Sequence, residues 1–264
     1  MFSTRNITLI VVALIALFAL AAQAQQHGEY GDAPEGVLAY PASGIIGSFP
    51  TCVTVGPAAW IYHAPNPLMF FGPMKDFEPD GNAGTCPMFA PYDMDECFMD
   101  PDAGMIIPGA FTIVGGVVVP CGPPVAPLGL FCTPGVWGGN MDIMLTNGGH
   151  DAFVNVLMDW NQDGIWAPSA QTFCSAPEHI LVDFPIPPGY VGPLSGLAPP
   201  PFLIGGDPGY VWSRFSITER PVGTPNWNGA GQFEDGESED YLVLVDGPVT
   251  DEDESWSAIK QMYR

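Results

Sequence analysis

The chain has 264 residues and carries 29 acidic against 6 basic side chains, a formal net charge of −23. A surface of that sign repels nucleic acid and anionic membranes, so neither is expected as a partner. Glycine and proline number 32 and 30, yet apolar and aromatic residues interleave with them, which argues against general disorder and for short strands joined by many turns.

Arg5 is the only charge ahead of an apolar run over residues 7–22, which ends in Ala22-Gln23-Ala24. A basic start, an apolar stretch and a small-x-small site read as a secretory signal peptide over residues 1–24. The run is short for a span of about 20 residues, and no later segment is long and apolar enough to cross a bilayer. The expected mature protein is therefore secreted or held at the cell surface, with no membrane span after cleavage. Residues 25–247 read as one β domain, within which residues 53–134 form an inserted region rich in Pro, Gly, Met and Cys.

Strand-like runs in that region are brief, at residues 59–63 and 110–119. From residue 140 onward they are cleaner, at 141–146, 153–160, 180–186, 211–218 and 241–245. In 180–186, Ile180, Val182, Phe184 and Ile186 fall on one face. In 211–218, Val211, Phe215 and Ile217 point one way, and Trp212, Arg214 and Ser216 the other. Period-two alternation bounded by Gly and Pro is the mark of half-buried strands. The spacing predicts an all-β, antiparallel β-sandwich of jelly-roll or Ig-like type with long Pro/Gly-rich loops. Residues 190–209 read as one such loop. In the tail, 248–264, Trp256, Ile259, Met262 and Tyr263 make one helical stripe, with acids before it and bases after. That pattern predicts a short C-terminal amphipathic helix, either a frayed end or a docking segment.

Six cysteines stand at Cys52, Cys86, Cys97, Cys121, Cys132 and Cys174. An even count in an exported chain implies three disulfides, in any of fifteen pairings. A zinc site would need close pairs such as C-x-x-C, and the sequence has none.

The strongest chemical motif is Asp159-Trp160-Asn161-Gln162-Asp163-Gly164-Ile165. It matches the first half of a calcium loop, D-x-[DN]-x-[DN]-G. Calcium takes six to eight oxygens. Asp159, Asn161 and Asp163 can converge in a tight turn, Gly164 permits the turn, and the Ile165 carbonyl can point inward. The twelfth position is Ala170 rather than Glu, so a further ligand must come from elsewhere. The competing reading is a metal-free Asx turn. A weaker copy of the frame, Asp76, Glu78 and Asp80 before Gly81, marks a possible second metal site.

Four separated blocks carry a resemblance. Glu29-Tyr30-Gly31-Asp32-Ala33-Pro34 resembles a "DFGDAP" opening, and Val156 to Gly164 resembles "wiDfNqDG". Trp212-Ser213-Arg214-Phe215-Ser216 resembles "aRfRls". Asp235-Gly236-Glu237-Ser238-Glu239-Asp240-Tyr241 resembles "dGEVEDY", with Ser238 where that motif has Val. The chain thus resembles the GEVED domain of bacterial and archaeal surface proteins over residues 140–245, or 30–245 with the opening block, leaving a large unmatched middle. The resemblance implies an extracellular β-sandwich, usually without catalysis. It also places Glu237, Glu239 and Asp240 at the entrance of the last strand. There they could complete a calcium shell with the Asp159 loop, joined by Asp32.

The expected function is a calcium-stabilised surface, structural or adhesion module with an extracellular protein or glycan partner. The alternative is a calcium-dependent carbohydrate-binding module. For that, Trp227 in a polar turn is the best exposed stacking candidate, since Trp60, Trp137, Trp166 and Trp212 read mainly as core. A secreted hydrolase is the least favoured reading, and no enzyme is expected. No G-x-S-x-G or H-E-x-x-H motif occurs, and His27, His63, His150 and His179 are scattered.

Overall fold

The computed structural model describes residues 28–53, 59–75, 77, 80–81, 86, 97, 103–122, 126–166 and 174–247. A hairpin of β1 (Glu35–Tyr40) and β2 (Ile45–Ser48) comes first, then three short strands, β3 (Ile61–His63), β4 (Met69–Phe71) and β5 (Met105–Ile107). A second hairpin follows, β6 (Ala110–Val114) and β7 (Val117–Pro120), then the brief β8 (Gly129–Leu130) and β9 (Pro134–Gly135). The remaining strands are β10 (Asp142–Asn147), β11 (Ala152–Met158), β12 (His179–Ile186), β13 (Val191–Pro193), β14 (Phe202–Leu203), β15 (Gly209–Thr218), β16 (Gly231–Phe233) and β17 (Gly236–Asp246).

The central sheet has seven strands, in the order β12-β11-β15-β17-β6-β7, with β8 also pairing β17. A four-stranded sheet has the order β13-β10-β4, and β5 pairs β10 as well. Three two-stranded ribbons, β1-β2, β9-β14 and β3-β16, complete the fold. The expected antiparallel sandwich is corrected in two respects. The sheets are several and open. Two of the pairings, β3 with β16 and β8 with β17, are parallel. Among the described residues the one helical segment is a four-residue 3-10 turn, Leu194–Leu197. The tail expected to be helical lies outside the described residues, as does the 1–24 leader. No helix among the described residues is long and apolar enough to cross a membrane.

The physical reason for the departure lies in the central sheet. β15 and β17 are buried along nearly their whole length, on both faces. One face packs Val154, Val156, Phe215, Ile217, Tyr241 and Val243 against Phe71, Ile143 and Leu145 of the four-stranded sheet. The other packs Leu157, Trp212 and Leu242 against Phe49, Ile61, Phe111 and Trp166. The sequence reads half-buried strands correctly as to alternation, but both sides are covered.

The 53–134 region builds into this frame, giving β6 and β7 to the central sheet and β4 and β5 to the second. Its run 110–119 is two strands turned at Gly115-Gly116, both at positive φ. In β12 the expected one-sided stripe breaks. Asp183 adopts φ 46 and the pairing with β11 shifts register there, so Val182 is exposed while Leu181 is buried. The 190–209 loop is a packed excursion containing β13 and β14.

All six cysteines pair in sequence order: Cys52–Cys86, Cys97–Cys121 and Cys132–Cys174. The first bridge is buried, with its sulfurs' residues at 1% and 4% exposure. It closes a separation of 34 residues, for which loss of loop-closure entropy in the unfolded chain predicts about 3–4 kcal/mol. A Cys52→Ala/Cys86→Ala variant is expected to lose stability of that order in a urea titration of the oxidised protein, with the other two bridges intact.

Candidate functional site

The β15–β17 register sets Arg214 directly opposite Asp240. Both side chains are fully buried. Arg214 Nε donates to Asp240 Oδ1 at 2.8 Å and Nη2 donates to Oδ2 at 2.6 Å. The remaining guanidinium hydrogens reach the Pro50 carbonyl at 2.7 Å, the Gly229 carbonyl at 3.0 Å and Thr51 Oγ1 at 3.3 Å. All five donors of the guanidinium are thereby used, and its carbon sits 4.6 Å from the centre of the Trp166 ring. Asp240 Oδ2 also accepts the Asp32 and Ala33 amides at 2.8 and 2.7 Å. Gly31 is required for this approach, because a Cβ there would lie 2.2 Å from Arg214 Nη2 and 2.6 Å from Asp240 Oδ2. Asp32 therefore meets Asp240 through its main chain.

Neighbouring acids of β17 point the other way, as strand alternation requires. Glu237 accepts the Phe71 amide, which ties β17 to β4. Glu239 accepts the Tyr241 hydroxyl, which itself accepts the Gly104 and Met105 amides at 2.9 and 3.2 Å. Burial, reinforced by the Glu239 charge, pushes the Tyr241 hydroxyl well above its ordinary pKa. On the Asp240 face, Ser238 bridges Ser216 and the buried His63. Its Oγ lies 2.6 Å from Ser216 Oγ and 2.9 Å from His63 Nε2. His63 Nδ1 faces the Asp235 carbonyl at 3.3 Å, and the ring stacks on Phe233.

The Asp159 loop is at a different level of the sheet. The Asp159 amide donates to the Trp212 carbonyl, and Trp212 pairs with Leu242, whereas Glu237 pairs with Ile217. Five residues of strand, about 17 Å at 3.4 Å each, separate Trp212 from the Glu237 level, while Asp240, two residues away opposite Arg214, has both oxygens taken by Arg214 and by the Asp32 and Ala33 amides. The structure brings Asp159, Asn161, Asp163 and Ile165 together as one turn, but does not bring Glu237, Glu239, Asp240 or Asp32 to it. Among the described residues no group of three or more His, Cys, Asp or Glu side chains is placed to hold a metal ion.

Within the turn, Asp159 Oδ2 accepts the Gly164 amide at 2.9 Å and the Tyr40 hydroxyl at 2.7 Å, and Oδ1 accepts the Asp163 amide at 3.2 Å. Asn161 Oδ1 also accepts the Asp163 amide, and Asp163 Oδ1 accepts that of Ile165, each at 3.1 Å. Gln162 at φ 55 and Gly164 at φ 84 supply the left-handed steps this curl needs. Burial raises the Asp159 carboxyl to about 7, against the lowering effect of the Tyr40 and Gly164 hydrogen bonds. Tyr40 was not anticipated from sequence. It lies 119 residues upstream of Asp159, so no local spacing signals it. It is held well above its usual range by burial and then by the charge of Asp159, with a smaller contribution from Glu178.

Of the second acidic stretch, Asp76 and Glu78 lie outside the described residues. Asp80 is buried and caps the Val53 and Gly81 amides at 2.8 and 3.1 Å. Trp227 is corrected from an exposed platform to a core residue. It is 8% exposed, donates its indole N–H to the Ala230 carbonyl and lies against the His179 ring. A shallow, mostly apolar pocket of about 370 Å³ lies between Asp151–Phe153 and Pro185–Pro188.

Two outcomes follow from these contacts. Asp240→Ala leaves a buried guanidinium without its counter-charge and is expected to cost about 3–5 kcal/mol of stability, read by chemical denaturation, with Asp240→Asn less severe. His63 is held neutral, well below the ordinary 6.5, by burial first and then by the Lys75 charge. The unfolded chain takes up a proton near 6.5 that the folded chain refuses, so stability is full above that pH and falls as the pH drops below it. Below pH 6.5 wild type should lose up to about 1.4 kcal/mol per pH unit more than His63→Gln; parallel curves for the two proteins would refute this.

Comparison with known proteins returns no matching family model, no matching curated protein and no matching solved structure.

Proposed function

We propose that this chain is an exported structural module, a disulfide-locked β scaffold that holds shape and presents surface outside the cell. One observation carries the reading: its buried ionisable groups join distant segments of chain. Arg214 and Asp240 gather residues 31–33, 50–51 and 229, Glu237 holds β4, and Asp159 holds the end of β1. Three bridges that close an oxidised framework suit an oxidising compartment. The GEVED resemblance belongs to the same proposal. It is supported by the meeting of Gly31, Asp32, Ala33, Arg214 and Asp240, drawn from three of its blocks, at one contact. Expression of the full chain in a host with a secretory route tests it. The expected product is an exported, oxidised chain whose N-terminus lies near Gln25. A full-length, reduced product retained in the cytoplasm would overturn the reading.

A second reading, calcium at the Asp159 turn, is favoured by the left-handed steps at Gln162 and Gly164. They gather Asp159, Asn161 and Asp163 around one curl of backbone amides. Extracellular calcium sites bind at about 10⁻⁴–10⁻³ M. Calorimetric titration with calcium chloride should show binding in that range for wild type and its loss in Asp163→Ala. Equal heats for the two proteins, or none for wild type, would sink the calcium reading and leave the structural one standing.

A further inference from the structure

Residues 103–141 contain no Asp, Glu, Lys, Arg or His, in a chain whose formal net charge is −23. The same stretch holds Ile106, Val114, Val117, Leu130 and Val136, all large apolar side chains more than a third exposed. Its most exposed part is the β6–β7 hairpin. Val114 and Val117 are 62% and 61% exposed, and a Cβ placed on either turn glycine, Gly115 or Gly116, would meet nothing within 4 Å. The hairpin therefore projects. Its Ile113 and Val118 face packs on the core beside Tyr210, while Val114 and Val117, paired across the two strands, share the opposite, uncovered face.

β7 also ends the central sheet, and among the described residues no strand pairs its outer edge. The two-residue turn makes Val114 and Val117 a hydrogen-bonded pair, and the Cys121 amide donates inward to the Ala110 carbonyl. By that alternation the N–H and C=O of Val118 point outward. The pairing of residues 111–114 with 117–120 is continuous. The edge thus lacks the charge and the bulge by which sheet edges are commonly blocked, and only Pro120 at its end serves that purpose.

We propose that the β7 edge is a self-association surface, where a second copy of this chain adds its own β7 antiparallel about a two-fold axis at Val118. In that register Val118 exchanges both of its outward hydrogen bonds with its own copy, and Val117 faces Val119 of the second molecule. An unblocked strand edge is a template for its own twin, whose β7 offers the same outward N–H and C=O at Val118. Two copies at −23 repel each other, and the charge-free stretch is where they can approach without bringing acids together. An anionic lipid surface is repelled by the remainder of the molecule.

Sedimentation velocity on the oxidised chain tests the proposal, with thermal melts as the folding control. Wild type should form a dimer that tightens as sodium chloride screens the net charge. Val117→Lys, which buries a charge in the contact, should weaken it at least tenfold. Val118→Pro, which removes an outward N–H and leaves the β6 pairing intact, should do the same by a route independent of charge. A wild type that stays monomeric at millimolar concentration, or a dimer indifferent to both variants, overturns the proposal. So does a monomer that co-sediments with neutral phosphatidylcholine vesicles through Val117.

Discussion

A guanidinium has five hydrogens to place and cannot shed its charge. Arg214 is fully buried, so each must find an oxygen of the protein. Five acceptors from three parts of the chain meet that demand: both oxygens of Asp240, the Pro50 and Gly229 carbonyls and Thr51 Oγ1. The carboxylate has a matching need and satisfies it with the Asp32 and Ala33 amides. Thr51 in turn donates to the Ala33 carbonyl. Such a pair adds little net stability over a well-packed apolar substitute, because desolvation offsets much of the attraction. Its consequence is geometric. Any arrangement that displaces residues 31–33, 50–51 or 229 leaves a charged group short of partners in a buried site, so the outer layer has one way to sit on the central sheet.

That layer is what makes the central sheet two-sided. β15 and β17 present apolar residues to the four-stranded sheet and a polar row to the outer layer. The polar row is Arg214, Ser216, Ser238 and Asp240, with His63 laid against it. Buried polar rows are tolerated when every member is hydrogen-bonded, and this one runs without interruption from Ser216 through Ser238 and His63 to the Asp235 carbonyl.

The acids of the last strand illustrate how the same residues serve different ends once the register is known. Glu237 and Glu239 cap backbone amides and a phenol on one face, and Asp240 binds a cationic side chain on the other. In sequence they form a compact acidic cluster that invites a metal. In space they diverge, because successive strand residues point to opposite sides. The Asp159 turn differs in that its acids are near in sequence and stay near in space. There a hydrogen-bonded curl from Asp159 to Ile165 holds them, with the Tyr40 hydroxyl and the Trp212 carbonyl anchoring its first residue.

Local features were therefore readable from the amino-acid sequence. The alternation of 211–218 assigns each side chain to its face. The D-x-N-x-D-G spacing yields the Asx-turn curl, and six cysteines yield three bridges. Each rests on interactions within a few residues or on a count. What depended on distant contacts was decided by tertiary structure alone. The sequence could not choose one of fifteen cysteine pairings, since loop closure is possible for many. It could not say that the Trp212–Arg214–Ser216 face is buried, because a polar row reads as solvated until Pro50, 164 residues upstream of Arg214, and its neighbours are laid over it. Nor could it place Trp227 in the core, or separate the β17 acids from the Asp159 turn. Those outcomes depend on strand order and register, which long-range packing sets.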